Sequence, residues 1–288
     1  MSLISKIIED VKQKKELQNL DDEIIKKEIQ IFLTKNPKLK NFLEKHEIRN
    51  INRSSKYKET IKQVRANLRK YYGAFVKTSS EILSNELSKL KVIIESTNNI
   101  ENLKEISKKI MELHQSTKER NLMYPFIYSK LWKITQKPNS ILDLGAGLNP
   151  LSYPFMNLEK LNYIAVELNA KDCEILNEYF KAMAKFDLKG KALNIDLNTE
   201  EGIKQISQIK IDVCFIFKLL DLLKKGYKKE ILKAVKSKYI IVSFPTETLS
   251  GNKMTFKRRI WFEKICENLN YPFEILEIDN EIFYIVKK

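Results

Sequence analysis

The feature that most constrains this chain is a change of hydrophobic period near residue 138. Up to about residue 135, apolar residues recur every three or four positions with few glycines between them, as on amphipathic helices. After Pro138, short β-rich runs alternate with helical stretches. A chain with this pattern folds its first half as helices and its second as strand–helix units over a parallel sheet.

The spacing predicts strands at Ile141–Leu144, Tyr163–Leu168, Ala192–Ile195, Ile211–Phe217 and Tyr239–Phe244. Crossover helices are expected at Lys171–Phe186, Glu200–Ile209, Lys228–Lys236 and Arg258–Leu269. Phe273–Ile278 and Ile282–Val286, joined by Asp279-Asn280-Glu281, read as a closing antiparallel hairpin. The expected fold is α/β and Rossmann-like. It has a seven-stranded, mostly parallel sheet with a terminal antiparallel hairpin, preceded by an all-helical domain. Residues 1–120 are assigned to the helical domain and 121–288 to the α/β domain.

Within the first half, Asn19-Leu20-Asp21-Asp22 caps a helix and Pro37 breaks one. A helix from Lys56 to Phe75 sets Tyr57, Ile61, Val64, Leu68 and Tyr72 on one stripe. Lys58, Lys62, Arg65 and Arg69 lie on the neighbouring stripe. One stripe packs and the other is basic.

Lys and Arg number 52 against 37 acids, a net charge of +15. Residues 1–137 hold 29 basic and 17 acidic side chains, and the remainder hold 23 and 20, so the first half carries the positive field. A basic segment joined to a nearly neutral one suits a polyanion docked by the first and worked on by the second. A solvated Lys-rich surface would give the same count.

Cys173, Cys214 and Cys266 lie far apart, with no C-x-x-C pair to suggest a disulfide framework or a zinc knuckle. The start of the chain mixes acids and bases where a signal peptide needs an apolar run, and a cytoplasmic protein is expected. His46 and His114 are the only histidines, too few for a His-based metal site or a Ser-His-Asp hydrolase.

The sharpest local signal is Ile141-Leu142-Asp143-Leu144-Gly145-Ala146-Gly147, a strand running into a glycine turn. Doubly wound folds bind nucleotides there, because glycines let a ligand approach bare backbone. Pro150 stands where a dinucleotide fingerprint needs its third glycine, which favours S-adenosylmethionine over a nicotinamide cofactor. Glu167, at the end of the next strand, suits the ribose hydroxyls. Asp196 ends the third strand near the adenine position, and Phe217-Lys218 end the fourth beside the methyl acceptor. A surface acid at Glu167 and a turn-capping carboxylate at Asp143 are the plainer alternatives.

With Gly145-Ala146-Gly147-Leu148-Asn149-Pro150-Leu151 in view, the chain resembles the Arm/Rmt/Sgm (FmrO-type) family of 16S ribosomal RNA (guanine-N7) methyltransferases, which confer aminoglycoside resistance. Four further segments carry the resemblance in the family's order. They are His114-Gln115-Ser116-Thr117-Lys118-Glu119-Arg120, Phe215-Ile216-Phe217-Lys218-Leu219-Leu220, Ser243-Phe244-Pro245-Thr246 with Leu249-Ser250-Gly251, and Trp261-Phe262. The stretch Leu68-Arg69-Lys70-Tyr71-Tyr72-Gly73-Ala74 is similar to the family's N-terminal RNA-binding region. Ala146, Glu167 and Asp221 stand where the family often has Cys, Asp and Pro, and the loop after Gly251 is shorter than usual.

The resemblance implies a class I methyltransferase fold with S-adenosylmethionine as cofactor. It implies that Arg120 meets the cofactor carboxylate, Gly145 and Gly147 its amino acid moiety, Glu167 the ribose, and Asp196 with Leu197 the adenine. Asp143, Asn149 and Phe217 belong to the same cofactor set, and His114 to a structural turn. Phe217 and Lys218 line the reaction side as positioning residues. Lys58, Lys62, Arg65, Arg69, Lys257, Arg258 and Arg259 are expected to meet RNA, the small ribosomal subunit being the expected partner of a monomeric, metal-free enzyme. Guanine N7 already has an in-plane lone pair, so no general base is expected. The alternatives are a transfer RNA or adenine-N1 methyltransferase on the same fold, a non-catalytic RNA-binding or assembly factor, and a nicotinamide enzyme.

Overall fold

The computed structural model describes all residues except 1, 15, 16, 19, 46–50, 70–79, 249 and 250. The chain divides into two compact units, Met1–Ser79 and Ser80–Lys288.

The first unit holds α1 (Leu3–Lys12), α2 (Asp22–Lys35), α3 (Pro37–Glu44) and α4 (Ser55–Leu68). Their apolar stripes meet in one core that includes Ile7, Val11, Ile25, Ile29, Leu43, Tyr57, Val64 and Leu68. The Asp21 carboxylate accepts the Glu23 N–H at 2.8 Å and starts α2, and Asn19 of the expected cap lies outside the described residues. Pro37 opens α3, where a missing N–H costs nothing. On α4 the expected stripes separate: Tyr57, Ile61, Val64 and Leu68 are buried, while Lys58 and Lys62 are exposed. Tyr72, the expected end of this helix near Phe75, and His46 lie outside the described residues.

The second unit begins with α5 (Ser80–Ser96), α6 (Lys104–Met111), α7 (Gln115–Arg120) and α8 (Tyr124–Thr135). The boundary therefore falls at residue 79/80 instead of 120. The cause is burial: Leu87, Leu90, Ile94, Ile110 and Met111 share a core with Tyr124, Leu131 and the sheet residues Ile141, Phe215 and Phe283. Helices α5 to α7 are layers of the α/β unit, which their helical period alone does not reveal.

The sheet has seven strands: β1 (Ser140–Leu144), β2 (Leu161–Glu167), β3 (Leu188–Asn194), β4 (Lys210–Phe217), β5 (Lys236–Pro245), β6 (Phe273–Ile278) and β7 (Glu281–Lys287). Their spatial order is β3-β2-β1-β4-β5-β7-β6, parallel except that β7 runs antiparallel to both of its neighbours, β5 and β6. Each strand expected from the sequence is present. Central β1 is a nearly continuous apolar run buried on both faces, and edge strands β3 and β6 carry exposed residues along their length.

Alternate residues of β4 serve opposite layers. Val213, Phe215 and Phe217 join the core under α5, α8 and α9 (Ala170–Met183), whereas Cys214 and Ile216 join the core of the other face. That second layer contains α10 (Glu200–Ile206), α11 (Lys225–Ala234) and α12 (Ile260–Asn268). Between β1 and β2 the chain takes a 3-10 stretch, Asn149–Phe155, because Pro150 and Pro154 do not suit a longer α-helix. All three cysteines are buried and unpaired. Among the described residues no helix is long and apolar enough to cross a membrane.

Candidate active site

Strand order reverses between β1 and β4, so the connections leaving their carboxyl ends run to opposite faces and leave a crevice. The chain leaves β1 through Gly145 (φ 69°) and Gly147 (φ 52°), in the left-handed region that favours glycine. The turn is fastened to the neighbouring strand by the Gly145 N–H, which donates to the Val166 carbonyl at 2.9 Å. The Gly147 N–H donates to Glu167 Oε1 at 2.5 Å. A Cβ on Gly147 would sit 3.1 Å from His114 Cε1, so the imidazole occupies the space that a side chain would need.

His114 itself is held by the first turn of α7, which follows it. Its Nδ1 lies 3.0 Å from Ser116 Oγ, and the Thr117 hydroxyl donates to the Met111 carbonyl at 2.6 Å. Burial, with the Arg120 guanidinium nearby, pushes the imidazole down to about 4. His114 is neutral near pH 7 and packs against backbone.

Glu167 is only half-buried, and its second oxygen accepts the Leu168 N–H at 3.2 Å. Burial pushes its carboxyl up to about 7, against the pull of the two backbone donors. Asp196, also half-buried, accepts the Asn198 N–H at 2.9 Å in a local turn. Thr199, the N-cap of α10, secures that turn by donating to the Asp196 carbonyl at 2.7 Å and accepting the Gly202 N–H at 3.0 Å. Leu197 is buried beside it.

Asp143 and Asn149 are placed differently from Glu167: each is only 1% exposed. The Tyr163 hydroxyl donates to Asp143 Oδ2 at 2.5 Å and the Asn149 amide does so at 2.9 Å, while Asn149 Oδ1 accepts from the Tyr124 hydroxyl at 2.9 Å. Burial raises the Asp143 carboxyl to about 6 despite these donors. Asp143 and Asn149 are thus bonded to each other and to the Tyr163 and Tyr124 hydroxyls beside the turn.

On the β4 side four charges from three distant stretches of the sequence meet. Arg120, 3% exposed, donates to Glu281 Oε1 at 3.1 Å, and its guanidinium lies 5.0 Å from the centre of the Phe217 ring. Lys218 Nζ lies 2.5 Å from Glu119 Oε2 and 3.2 Å from Glu281 Oε2. Lys218 also has φ 53°, a costly conformation for a side-chain-bearing residue, held by its N–H to the Ser243 carbonyl at 3.0 Å. Phe217 stacks on Phe215 at 4.6 Å and meets Phe283 edge-on. Two cations and two carboxylates thus balance at the mouth of β4 and β7. Glu281 was not singled out in the sequence, where it reads as a hairpin-turn acid.

Of the residues expected to meet RNA, Lys58, Lys62, Arg65 and Arg69 lie on α4 or its end in the first unit. Arg65 is partly committed there, donating to the carbonyls of Asp10 and Val11 in the last turn of α1. In the second unit, Lys257 pairs with Glu277, and Arg258 grips Glu263 through two bonds of 2.8 and 2.6 Å. The Arg259 guanidinium donates to the Pro245 and Lys257 carbonyls, so it mainly holds its own loop; Lys257 and Arg258 remain exposed. Leu249 and Ser250 lie outside the described residues.

The cradle fits S-adenosylmethionine. It offers bare backbone at two positive-φ glycines and accessible carboxylates at the ends of β2 and β3, the features a nucleoside with an amino acid tail requires.

The chain is similar to several known proteins. The family model described as ribosomal RNA methyltransferase (FmrO) matches residues 44–285. Proteins named 16S rRNA (guanine(1405)-N(7))-methyltransferase include one from Proteus mirabilis, 28% identical over 252 residues, covering 80% of this chain and 85% of the relative. Another, from Micromonospora echinospora, is 26% identical and covers 80% and 83%. Among solved structures, the 16S rRNA methyltransferase RmtF in complex with S-adenosyl-L-homocysteine superposes with a TM-score of 0.71 at 20% identity, over 100% of this chain and 99% of that one. The 16S rRNA methylase RmtB gives 0.66 at 19%, over 99% and 98%. At these identities the two structures establish the fold.

Proposed function

Because the chain belongs to the ribosomal RNA methyltransferase (FmrO) family, we propose that it transfers a methyl group from S-adenosylmethionine to N7 of a guanine in small-subunit ribosomal RNA. The observation that carries the cofactor half of this reading is the Gly147 N–H fastened to Glu167 at the point where the strand order reverses. The guanine and the small subunit come from the names of the relatives.

S-adenosylmethionine supplies, when bound, a methyl carbon made electrophilic by a sulfonium sulfur. Gly145 and Gly147 would present backbone to its amino acid end, Glu167 would accept from its ribose, and Asp196 with Leu197 would border its adenine. Asp143 and Asn149 would support the turn from within, and Arg120, bonded to Glu281, would hold the carboxylate tail.

In the reaction a bond forms between N7 and the methyl carbon as the carbon–sulfur bond breaks and its electron pair stays on sulfur. No proton leaves N7, so the chain needs no general base, and His114, neutral and packed on Gly147, does not supply one. Phe217, buried among Phe215, Phe283 and the Arg120 guanidinium, fixes the end of β4 with Lys218 next to it, and the pair would position the base from there. Holding two reactants in line this way is worth up to roughly 7–11 kcal/mol of barrier. The stripe on α4, together with Lys257 and Arg258, contributes positive charge for the RNA backbone.

Labelled methyl transfer to purified small subunits, large subunits and transfer RNA, followed by nucleoside mass spectrometry, tests this. The expected product is 7-methylguanosine in small-subunit RNA only. 1-Methyladenosine or label confined to transfer RNA would replace the target, and cofactor binding without any transfer would point to an assembly factor.

A further inference from the structure

Arg120 ends α7, and Tyr124 opens α8 just after it; both side chains are buried. Arg120 Nε donates to the Tyr124 hydroxyl at 3.4 Å, and the guanidinium carbon lies 5.8 Å from the centre of that ring. A phenol has a single proton to give, and this one goes to Asn149 Oδ1 at 2.9 Å. The Asn149 amide then donates to Asp143 Oδ2, also at 2.9 Å. Burial, opposed by the Arg120 charge, raises the Tyr124 hydroxyl above its ordinary value, so it stays protonated. A chain of donors therefore runs one way, from the Arg120 cation to the Asp143 carboxylate.

The ends of this chain belong to different parts of the cradle. Asp143 and Asn149 flank the Gly145–Gly147 turn in the sequence. Arg120 comes from the helical layer, and its Nη1 is held by Glu281 of β7 at 3.1 Å. Among the described residues, the Tyr124 hydroxyl is the one hydrogen-bonded link between that guanidinium and the glycine turn, and Nη2 is left without a protein acceptor. An amino acid carries its ammonium and its carboxylate on one carbon. The cation that meets one and the backbone that meets the other must therefore keep a fixed spacing.

We infer that Tyr124 is a positioning residue of the methyl transfer: its hydroxyl sets the Arg120 guanidinium against the glycine turn at the spacing that the amino acid tail of S-adenosylmethionine needs. The inference rests on the reading that Arg120 meets that tail. It adds a residue outside the His114–Arg120 segment, on a helix that the motifs of the chain leave unmarked.

Calorimetric binding of S-adenosyl-L-homocysteine and of methylthioadenosine to the full chain tests it. The two ligands share adenine, ribose and an uncharged sulfur, and the amino acid tail is present in the first alone. Tyr124→Phe keeps the ring. It is expected to raise Kd for S-adenosyl-L-homocysteine roughly three- to tenfold, the scale of one hydrogen bond, and to leave methylthioadenosine within about twofold of wild type. In methyl transfer the same loss should appear in KM for S-adenosylmethionine, with kcat nearly unchanged. Tyr128→Phe controls for the loss of a buried hydroxyl on the same helix. Its ring stacks on Tyr124 at 5.6 Å, but its hydroxyl meets Ser152 Oγ at 2.6 Å, and it should bind both ligands as wild type does.

Wild-type affinity for S-adenosyl-L-homocysteine in Tyr124→Phe, an equal loss of both ligands, or the same selective loss in Tyr128→Phe would overturn the positioning role. Arg120→Lys keeps a buried charge for Glu281 and removes the guanidinium fork, so it judges the reading beneath. If that variant binds S-adenosyl-L-homocysteine as wild type does, Arg120 does not hold the tail, and the reading and the inference fail together. A selective loss in Arg120→Lys beside an unaffected Tyr124→Phe sinks the inference alone.

Discussion

Glu167 sits between two demands: two backbone N–H groups favour its charge and burial opposes it, leaving the carboxyl at about 7. The sign of the linkage follows. The folded value lies above the unfolded one, 4.5, so between about 4.5 and 7 the folded state binds more protons. Stability contributed by this group is therefore present at low pH and is lost as pH rises through about 7. Its ligand role runs the other way, since an ionised carboxylate is the better acceptor for ribose hydroxyls. Affinity for S-adenosylmethionine, measured calorimetrically, should rise from pH 5.5 to 8. In Glu167→Gln that rise should flatten and affinity should fall about tenfold, while urea unfolding above pH 7 shows no loss of stability. Glu281 is a second residue with a large lever. Glu281→Gln leaves Arg120 and Lys218 buried with one carboxylate between them, and removing one member of a buried charge set costs about 3 kcal/mol. Denaturant unfolding should show that loss, and an unchanged midpoint would mean the charges are solvated.

The elements of the crevice are placed by their ends more than by their interiors. Strand β3 stops at Asn194 and α10 begins at Glu200, and the turn between them carries Asp196. Gly202 makes that turn possible, because a Cβ there would lie 2.1 Å from the Asp196 carbonyl oxygen, which is already accepting from Thr199. The backbone has to move to admit it. Gly202→Ala is expected to cost about 2 kcal/mol and to weaken cofactor binding, read by thermal unfolding and calorimetry. Full stability in that variant would mean the turn is slack. Strand β4 ends in the same economical way: Lys218 turns left-handed immediately after Phe217, which swings its ammonium back toward Glu119 while the ring stays in the core.

For the whole molecule, charge is the property that one side chain cannot stand for. Of the net +15, the stretch Met1–Ser79 holds 19 basic and 10 acidic residues, more than half of the excess in under a third of the chain. In the proposed cofactor crevice, by contrast, the two cations Arg120 and Lys218 are already paired with Glu119 and Glu281, and Glu167 and Asp196 add carboxylates. Raising KCl should therefore lower kcat/KM for ribosomal subunits by a factor of ten or more, while the Kd of S-adenosylmethionine moves less than about twofold. Parallel titrations of both constants check this, and equal salt dependence would dissociate the basic stretch from substrate capture.

Consecutive residues alone determined the α/β order, all seven strands, the closing hairpin, the glycine turn and its partner Glu167, because period, turn chemistry and strand ends are local properties. The stripes of α4 were legible for the same reason. The tertiary structure decided the rest. It moved α5 to α7 into the second unit, since a helical period says that a face is buried but not against what. It turned Asp143 and Asn149 inward through Tyr163 and Tyr124, and it committed Arg259 to its own loop. It brought Glu281 to Arg120 across 161 residues and Lys218 to Glu119 across 99, and opposite charges that meet only after folding leave no spacing in the chain to read.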